Sequence, residues 1–284
     1  MKIQNKREID LQLRILSNHT GDRIKEHAEL RGRRYEEAKT RRQDSEEARI
    51  RARWNMIAAP VKAFSDREFA KGLGLIFDSI VTPLPGLAPI AVMEPPGTEE
   101  QRWTAGRKGE SDVTRFLSRN LDDRWILLVG YQGARGEIDH VLIGPSGVCA
   151  VEVKHYKGLI SCSALKWTRR KRAANGYVYP TEEVLQDAGG RSPSRQLNEA
   201  ADALQSSLDR RFGKGRVRRG IVLSNLAAEL DQIHELGIDF LTRLKGWNLD
   251  KTLGTQPRIS METVDAIARF LAQDHQLNVY RKNL

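Results

Sequence analysis

The chain has 284 residues, long enough for one large domain or two smaller ones around a genuine hydrophobic core, with 39% hydrophobic and 30% charged residues. Its 47 Lys and Arg against 37 Asp and Glu leave a net charge of +10, which suits a polyanionic partner, nucleic acid first, although a basic balance by itself can also serve solubility alone. Two cysteines, Cys149 and Cys162, exclude a disulfide-stapled scaffold; both sit in apolar, strand-like stretches without His or Cys at metal-ligand spacing and read as buried thiols.

The N-terminus lacks the apolar core of a signal peptide, because Leu11, Leu13 and Ile15 alternate with polar and charged residues, and a cytoplasmic location is the expectation. Residues 6–56 are dense in Arg, Glu, Lys and Ala, which predicts helix, with one break signal at residues 18–21. Residues 1–60 hold 15 basic and 10 acidic side chains, with apolar positions too sparse for a sustained heptad seam. A solvated basic arm or hairpin fits, either packed on the domain behind it or serving DNA contact, homo-oligomerisation or binding of a protein partner. Residues 61–103 read as an irregular connector. Within it, residues 73–93 are apolar, yet Asp78, Pro83, Pro85 and Pro89 argue against a bilayer-spanning helix and for a packed linker. A domain boundary is expected near residue 104.

Periodic structure then resumes. A helix over residues 105–120 sets Glu110, Val113 and Leu117 on one face, putting a carboxylate on the buried stripe. Strands follow at 125–131, 137–144 and 148–155, separated by turns at 133–136 and 145–147, with a weaker pair inside 159–178. A helix over 193–212 carries Leu197, Ala201, Leu204 and Leu208 as its core stripe; strands at 219–224 and 238–242 and a helix over 261–272 complete the chain.

The hairpin of residues 137–156 carries the chemistry. Side chains alternate across a strand, so Glu152 and Lys154 share one face while Val151 and Val153 take the other. If Pro145 and Ser146 are the turn residues, antiparallel pairing sets Asp139 opposite Glu152; a one-residue shift sets it opposite Lys154. Either register gathers all three, and Glu137 shares the face of Asp139. Opposed carboxylates repel unless a cation intervenes, and two acids with open coordination suit Mg²⁺, while Lys154 suits a phosphoryl transition state. A cross-strand salt bridge to Lys154 is the plain structural alternative. His140 and His155 read as structural.

Glu110 on its helix, the run Glu137-Ile-Asp139-His-Val-Leu-Ile-Gly-Pro-Ser-Gly-Val, and Glu152-Val-Lys154 followed by Tyr156 together resemble the nuclease-related domain, a branch of the PD-(D/E)XK phosphodiesterase superfamily, over residues 104–215. The resemblance implies an α/β, restriction-endonuclease-like fold: a mixed central sheet flanked by helices, here behind an N-terminal helical region and extending over residues 104–284. It implies Mg²⁺-dependent hydrolysis of phosphodiester bonds by Asp139, Glu152 and Lys154, with Mn²⁺ as a substitute. Glu110 matches the helix carboxylate that completes the superfamily's metal site, and Gln196 matches the family's glutamine on the second core helix. Either could be plainer: Glu110 favoured by the positive end of its helix, Gln196 a surface neighbour of Leu197. Phage or plasmid defence, or DNA maintenance, is the implied setting.

Two basic clusters flank this segment: Lys166, Arg169, Arg170, Lys171 and Arg172, expected around a turn beside Trp167, and Arg216 and Arg218 near the turn at residues 213–215. Both suit a phosphate backbone, of DNA first and RNA second, and both read equally as solvated turns. No base-reading motif accompanies them, so backbone contact and shape are expected to dominate over sequence reading. An inactive nucleic-acid-binding module, or an assembly protein on the same fold, is the alternative function.

Overall fold

The computed structural model of the chain describes residues 19–66, 68–173 and 175–282. They divide into two compact units, residues 22–101 and residues 102 onward.

The first unit is helical. α1 (His19–Ser65) is one uninterrupted 47-residue helix with Pro60 inside it, and residues 1–18, where the other limb of a hairpin would fall, lie outside the described residues. Its surface carries ion pairs at helical spacing, Arg42–Glu46 at 2.7 Å and Arg51–Glu47 at 3.2 Å among them, each worth roughly 0.3–0.5 kcal/mol. The connector expected to be irregular contains a second helix, α2 (Phe69–Val81). Its apolar run is free of proline until Pro83, so nothing in the chain stops a helix there. Residues 83–97 are extended, tied to α1 where Ser45 Oγ accepts from the Ala88 amide at 3.0 Å and Arg42 donates to the Ala88 carbonyl. The linker is not packed away as expected: Leu73, Ile90 and Val92 are exposed by 63%, 75% and 75%.

The second unit is mixed α/β. α3 (Thr98–Asn120) leads into a five-stranded sheet made of β1 (Ile126–Gly133), β2 (Gly136–Gly144), β3 (Gly147–Lys154), β7 (Val217–Leu223) and β9 (Phe240–Arg243), in that spatial order. The first three strands are an antiparallel meander, and β7 and β9 add in parallel. Parallel neighbours need crossovers, and α4 (Pro193–Phe212), capped by Ser192, lies between β3 and β7 in the chain. α5 (Leu249–Leu253) and α6 (Met261–Lys282) follow β9. A second sheet, in the order β6 (Val178–Val184), β5 (Lys166–Arg172), β4 (Gly158–Ser163) and β8 (Ala228–Ile233), takes its first three strands from the long β3–α4 connection and β8 from the β7–β9 connection.

Alternation along the central strands feeds two cores. Val141, Ile143, Val148 and Ala150 join Leu197, Ala201 and Leu204 of α4 and Val264, Ile267 and Leu271 of α6 on one face. Leu142, Cys149, Val151 and Val153 join Val113 and Leu117 of α3 and Trp247 on the other. This is the restriction-endonuclease-like arrangement, a mixed sheet flanked by helices. Both cysteines are buried, free thiols. Among the described residues no helix is long and apolar enough to cross a membrane.

Candidate active site

The β2–β3 turn fixes the geometry. Gly144 pairs with Gly147 and His140 with Val151, the register that sets Asp139 opposite Glu152. Asp139 Oδ2 reaches across to accept from the Val153 amide at 2.6 Å. Glu152 is 2% exposed, and Lys154 Nζ donates to its Oε1 at 2.7 Å. Lys154 Nζ also donates to Gln196 Oε1 at 3.0 Å, so the first turn of α4 braces the end of β3. Asp139, Glu152, Lys154 and Gln196 are thus brought together, and the ion pair that forms, Lys154 with Glu152, runs along β3 rather than across to Asp139.

Glu110 joins from α3. Burial raises its pKa first, and the charges of Glu137 and Glu152 raise it further. Asp139 stands well above the ordinary carboxylate range for the same reasons: desolvation, then Glu152 and Glu110, only partly offset by Lys154 and by the hydrogen bond from Val153. Burial pulls the Lys154 ammonium down, but Glu152, Tyr156 and Asp139 outweigh it and hold the lysine charged. Three acids therefore share their surroundings with one ammonium.

The other oxygen of that buried carboxylate, Glu152 Oε2, has no hydrogen-bond partner, a costly arrangement for a carboxylate in a protein interior. It is the donor a cation would satisfy. Among the described residues no three His, Cys, Asp or Glu side chains converge as a ready-made cage. A small hard cation that keeps most of its waters needs only one or two carboxylates, and on that ground these residues fit Mg²⁺.

Two histidines lie nearby. His140 is fully buried, its Nε2 2.8 Å from Thr114 Oγ1 on α3, and burial lowers its pKa to about 3, so it stays neutral. His155 Nδ1 lies 3.0 Å from Ser224 Oγ at the end of β7. Sequence reading passed over Gly109, the neighbour of Glu110. A Cβ there would collide with Ser224 Oγ, so this glycine allows α3 to approach the strand ends closely. The only local signal was a glycine inside a strong helix.

The basic clusters differ from expectation. Lys166, Arg169, Arg170, Lys171 and Arg172 form strand β5, not a turn. Long-range carboxylates make the strand: Arg169 pairs with Glu183, Arg172 with Glu229, and Arg170 with Asp231 at 2.7 Å. Arg216 pairs with Asp239, and Arg218 donates to the Thr252 carbonyl at 2.7 Å. Lys166 and Lys171 are exposed and make no ion pair with a described residue.

No curated protein and no solved structure matches the chain. The family model described as the nuclease-related domain matches residues 105–224, a span that begins in α3 and ends at Ser224, just past β7. It therefore takes in Glu110, Asp139, Glu152, Lys154 and Gln196, and residues 105–224 of this chain match the nuclease-related domain family.

Proposed function

We propose that the chain hydrolyses phosphodiester bonds of DNA in a Mg²⁺-dependent reaction at this cluster. The observation that carries the reading is the crowding of Asp139, Glu110 and Glu152 around one braced ammonium, with Glu152 Oε2 buried and unsatisfied. Like charges are brought together at a cost to stability, which a purely structural site has no reason to bear. Asp139 and Glu152, with Glu110 beside them, would hold Mg²⁺, and Mn²⁺ shares the ligand preference. When bound, the ion supplies charge neutralisation at the scissile phosphate and acidifies attacking water.

The protein's own groups do the rest. Lys154 donates to a non-bridging phosphate oxygen, where charge grows in the transition state. Gln196 keeps that ammonium from folding wholly onto Glu152. Lys166 and Lys171 offer free cations to the sugar–phosphate backbone, an interaction without base readout. A role in defence or DNA maintenance belongs to the same proposal. The test is cleavage of supercoiled and linear DNA with Mg²⁺, Mn²⁺ or EDTA. Asp139→Ala and Lys154→Ala, with circular dichroism matching wild type, are expected to lose on the order of 10²–10³-fold or more in rate. Wild type that binds DNA and never cuts would reduce the domain to a binding module.

One observation favours an assembly role for residues 22–101. Ile50, Trp54, Ile57 and Val61, spaced at four, three and four residues along α1, are 56%, 65%, 53% and 63% exposed. That spacing is one short coiled-coil seam. Sedimentation velocity is expected to give a mass above the 32.1 kDa monomer for wild type and the monomer for Trp54→Ser/Ile57→Ser. A wild-type monomer at every concentration would remove this role.

A further inference from the structure

The four-stranded sheet has two unlike faces. Arg170 and Arg172 point to the outer one, where Asp231 and Glu229 of β8 neutralise them. The opposite face is set by Trp167 and Arg169, whose partners across β4 are the buried Cys162 and Ile160. Trp167 Nε1 donates to Ser194 Oγ at 2.9 Å, on the first turn of the helix whose Gln196 holds Lys154. Arg169 bears on Tyr156, which in turn feels Lys154 and Glu152. The inner face of β5 thus begins at the catalytic cluster.

Alternation continues this face to Lys171 on β5, and Tyr179 of β6 and Tyr177 beside it lie at the tip of the hairpin, beyond an irregularity in the β5–β6 pairing. The two rings meet edge to face with centroids 5.4 Å apart, yet they are 47% and 58% exposed. Nothing in the core needs them there. Arg169 keeps a buried Nε without an acceptor, and its partner Glu183 is half exposed and replaceable by a phosphate. Cations near the site and exposed aromatic rings beyond it are the elements with which proteins hold unpaired strands, phosphates on the cations and bases on the rings.

We propose that the β5–β6 hairpin is a track for an unpaired DNA strand leading away from the carboxylate site, with Arg169 and Lys171 meeting phosphates and Tyr179 and Tyr177 stacking bases. The proposal rests on the nuclease reading and deepens it: the substrate is DNA with a single-stranded segment, such as a flap, gap or frayed end, rather than uninterrupted duplex. Continuous duplex keeps its bases stacked on one another and offers no free ring face to the tyrosines.

The test is binding in EDTA, where nothing is cut. Fluorescence anisotropy of a labelled fifteen-nucleotide oligo-dT and of a blunt duplex of the same length is measured for wild type, Tyr177→Ala/Tyr179→Ala, Tyr177→Phe/Tyr179→Phe and Lys171→Ala. The double alanine variant is expected to lose roughly ten- to a hundredfold in single-strand affinity, with duplex affinity unchanged. The double phenylalanine variant, which keeps the rings, stays within about threefold of wild type. Lys171→Ala lowers the salt dependence of single-strand binding. Single-strand affinity of the alanine variant within twofold of wild type overturns the proposal, as does equal loss on duplex or a wild type that prefers duplex. Because these readouts need no cleavage, tyrosine-dependent binding by a protein that never cuts would sink the nuclease reading and leave the track standing.

Discussion

The two sheets of the second unit treat charge in opposite ways. On the outer face of the four-stranded sheet two arginines meet their opposites: Arg170 with Asp231 and Arg172 with Glu229. At the end of the five-stranded sheet, acids meet acids. Asp139 and Glu110 are each pushed upward first by burial and then by neighbouring carboxylates, and Lys154, with Arg107 at Glu110 and the Val153 amide at Asp139, offsets this only in part. Opposite charges in register hold strands together at little gain or cost. Like charges in a dry place weaken the fold, and they persist where chemistry requires them.

The sharpest break in that comparison is Asp139→Asn. Asn keeps the shape and the acceptor that receives the Val153 amide, and it removes the charge. Activity is expected to fall to background while the melting temperature rises by a few degrees, roughly 2–4 °C per kcal/mol for a domain of this size. The sign follows from linkage. A carboxyl whose folded pKa lies above its ordinary 3.8 binds a proton more tightly when folded, so stability falls as pH rises from about 3.8 through the raised value. Above that value the full cost is present, so wild type and variant should differ most at neutral pH and converge on acidification. Mg²⁺ at about a hundredfold over its Kd should stabilise wild type by about 2.7 kcal/mol, and Asp139→Asn far less. A variant that melts lower than wild type at neutral pH would mean that Asp139 is a structural member like those of the other sheet.

The contrast also separates what the sequence made legible from what it hid. Asp139, Glu152 and Lys154 could be read because strand alternation and a two-residue turn are local, and Gly144 pairs with Gly147 as that turn demands. α4 could be read to its ends because Ser192, Pro193 and Gly213 punctuate it within one window. Gln196 was singled out only through family resemblance, and its contact with Lys154 was not foreseen, since it spans a sequence separation of 42 that no periodicity reports. The strand pair expected inside 159–178 is there as β4 and β5, but the charge partners of β5 were hidden for the same reason. Five basic residues around a tryptophan suggest a solvated turn until Glu183, Glu229 and Asp231 arrive from later in the chain. Strands β6 and β8 are mostly solvent-facing and lack the alternation of a half-buried strand. α2 was missed because prolines just beyond it were allowed to speak for the whole stretch.

The smallest expected effect lies on the paired face. Arg170→Ala, Asp231→Ala and the double variant form a cycle whose coupling should be about 0.2–1 kcal/mol, because both side chains keep about a third of their surface in water. Ser161, 3.3 Å from Asp231, shares the interaction and keeps the single variants from being cleanly additive. Cleavage rates should stay within about twofold of wild type, since a neutralised guanidinium on the outer face has little to offer a phosphate. Chemical denaturation supplies the coupling and the plasmid assay supplies the rate. A coupling near zero together with a large loss of activity would reverse the assignment. It would place Arg170 among the groups that grip DNA and leave the outer face of the four-stranded sheet, rather than its inner one, as the surface the substrate crosses.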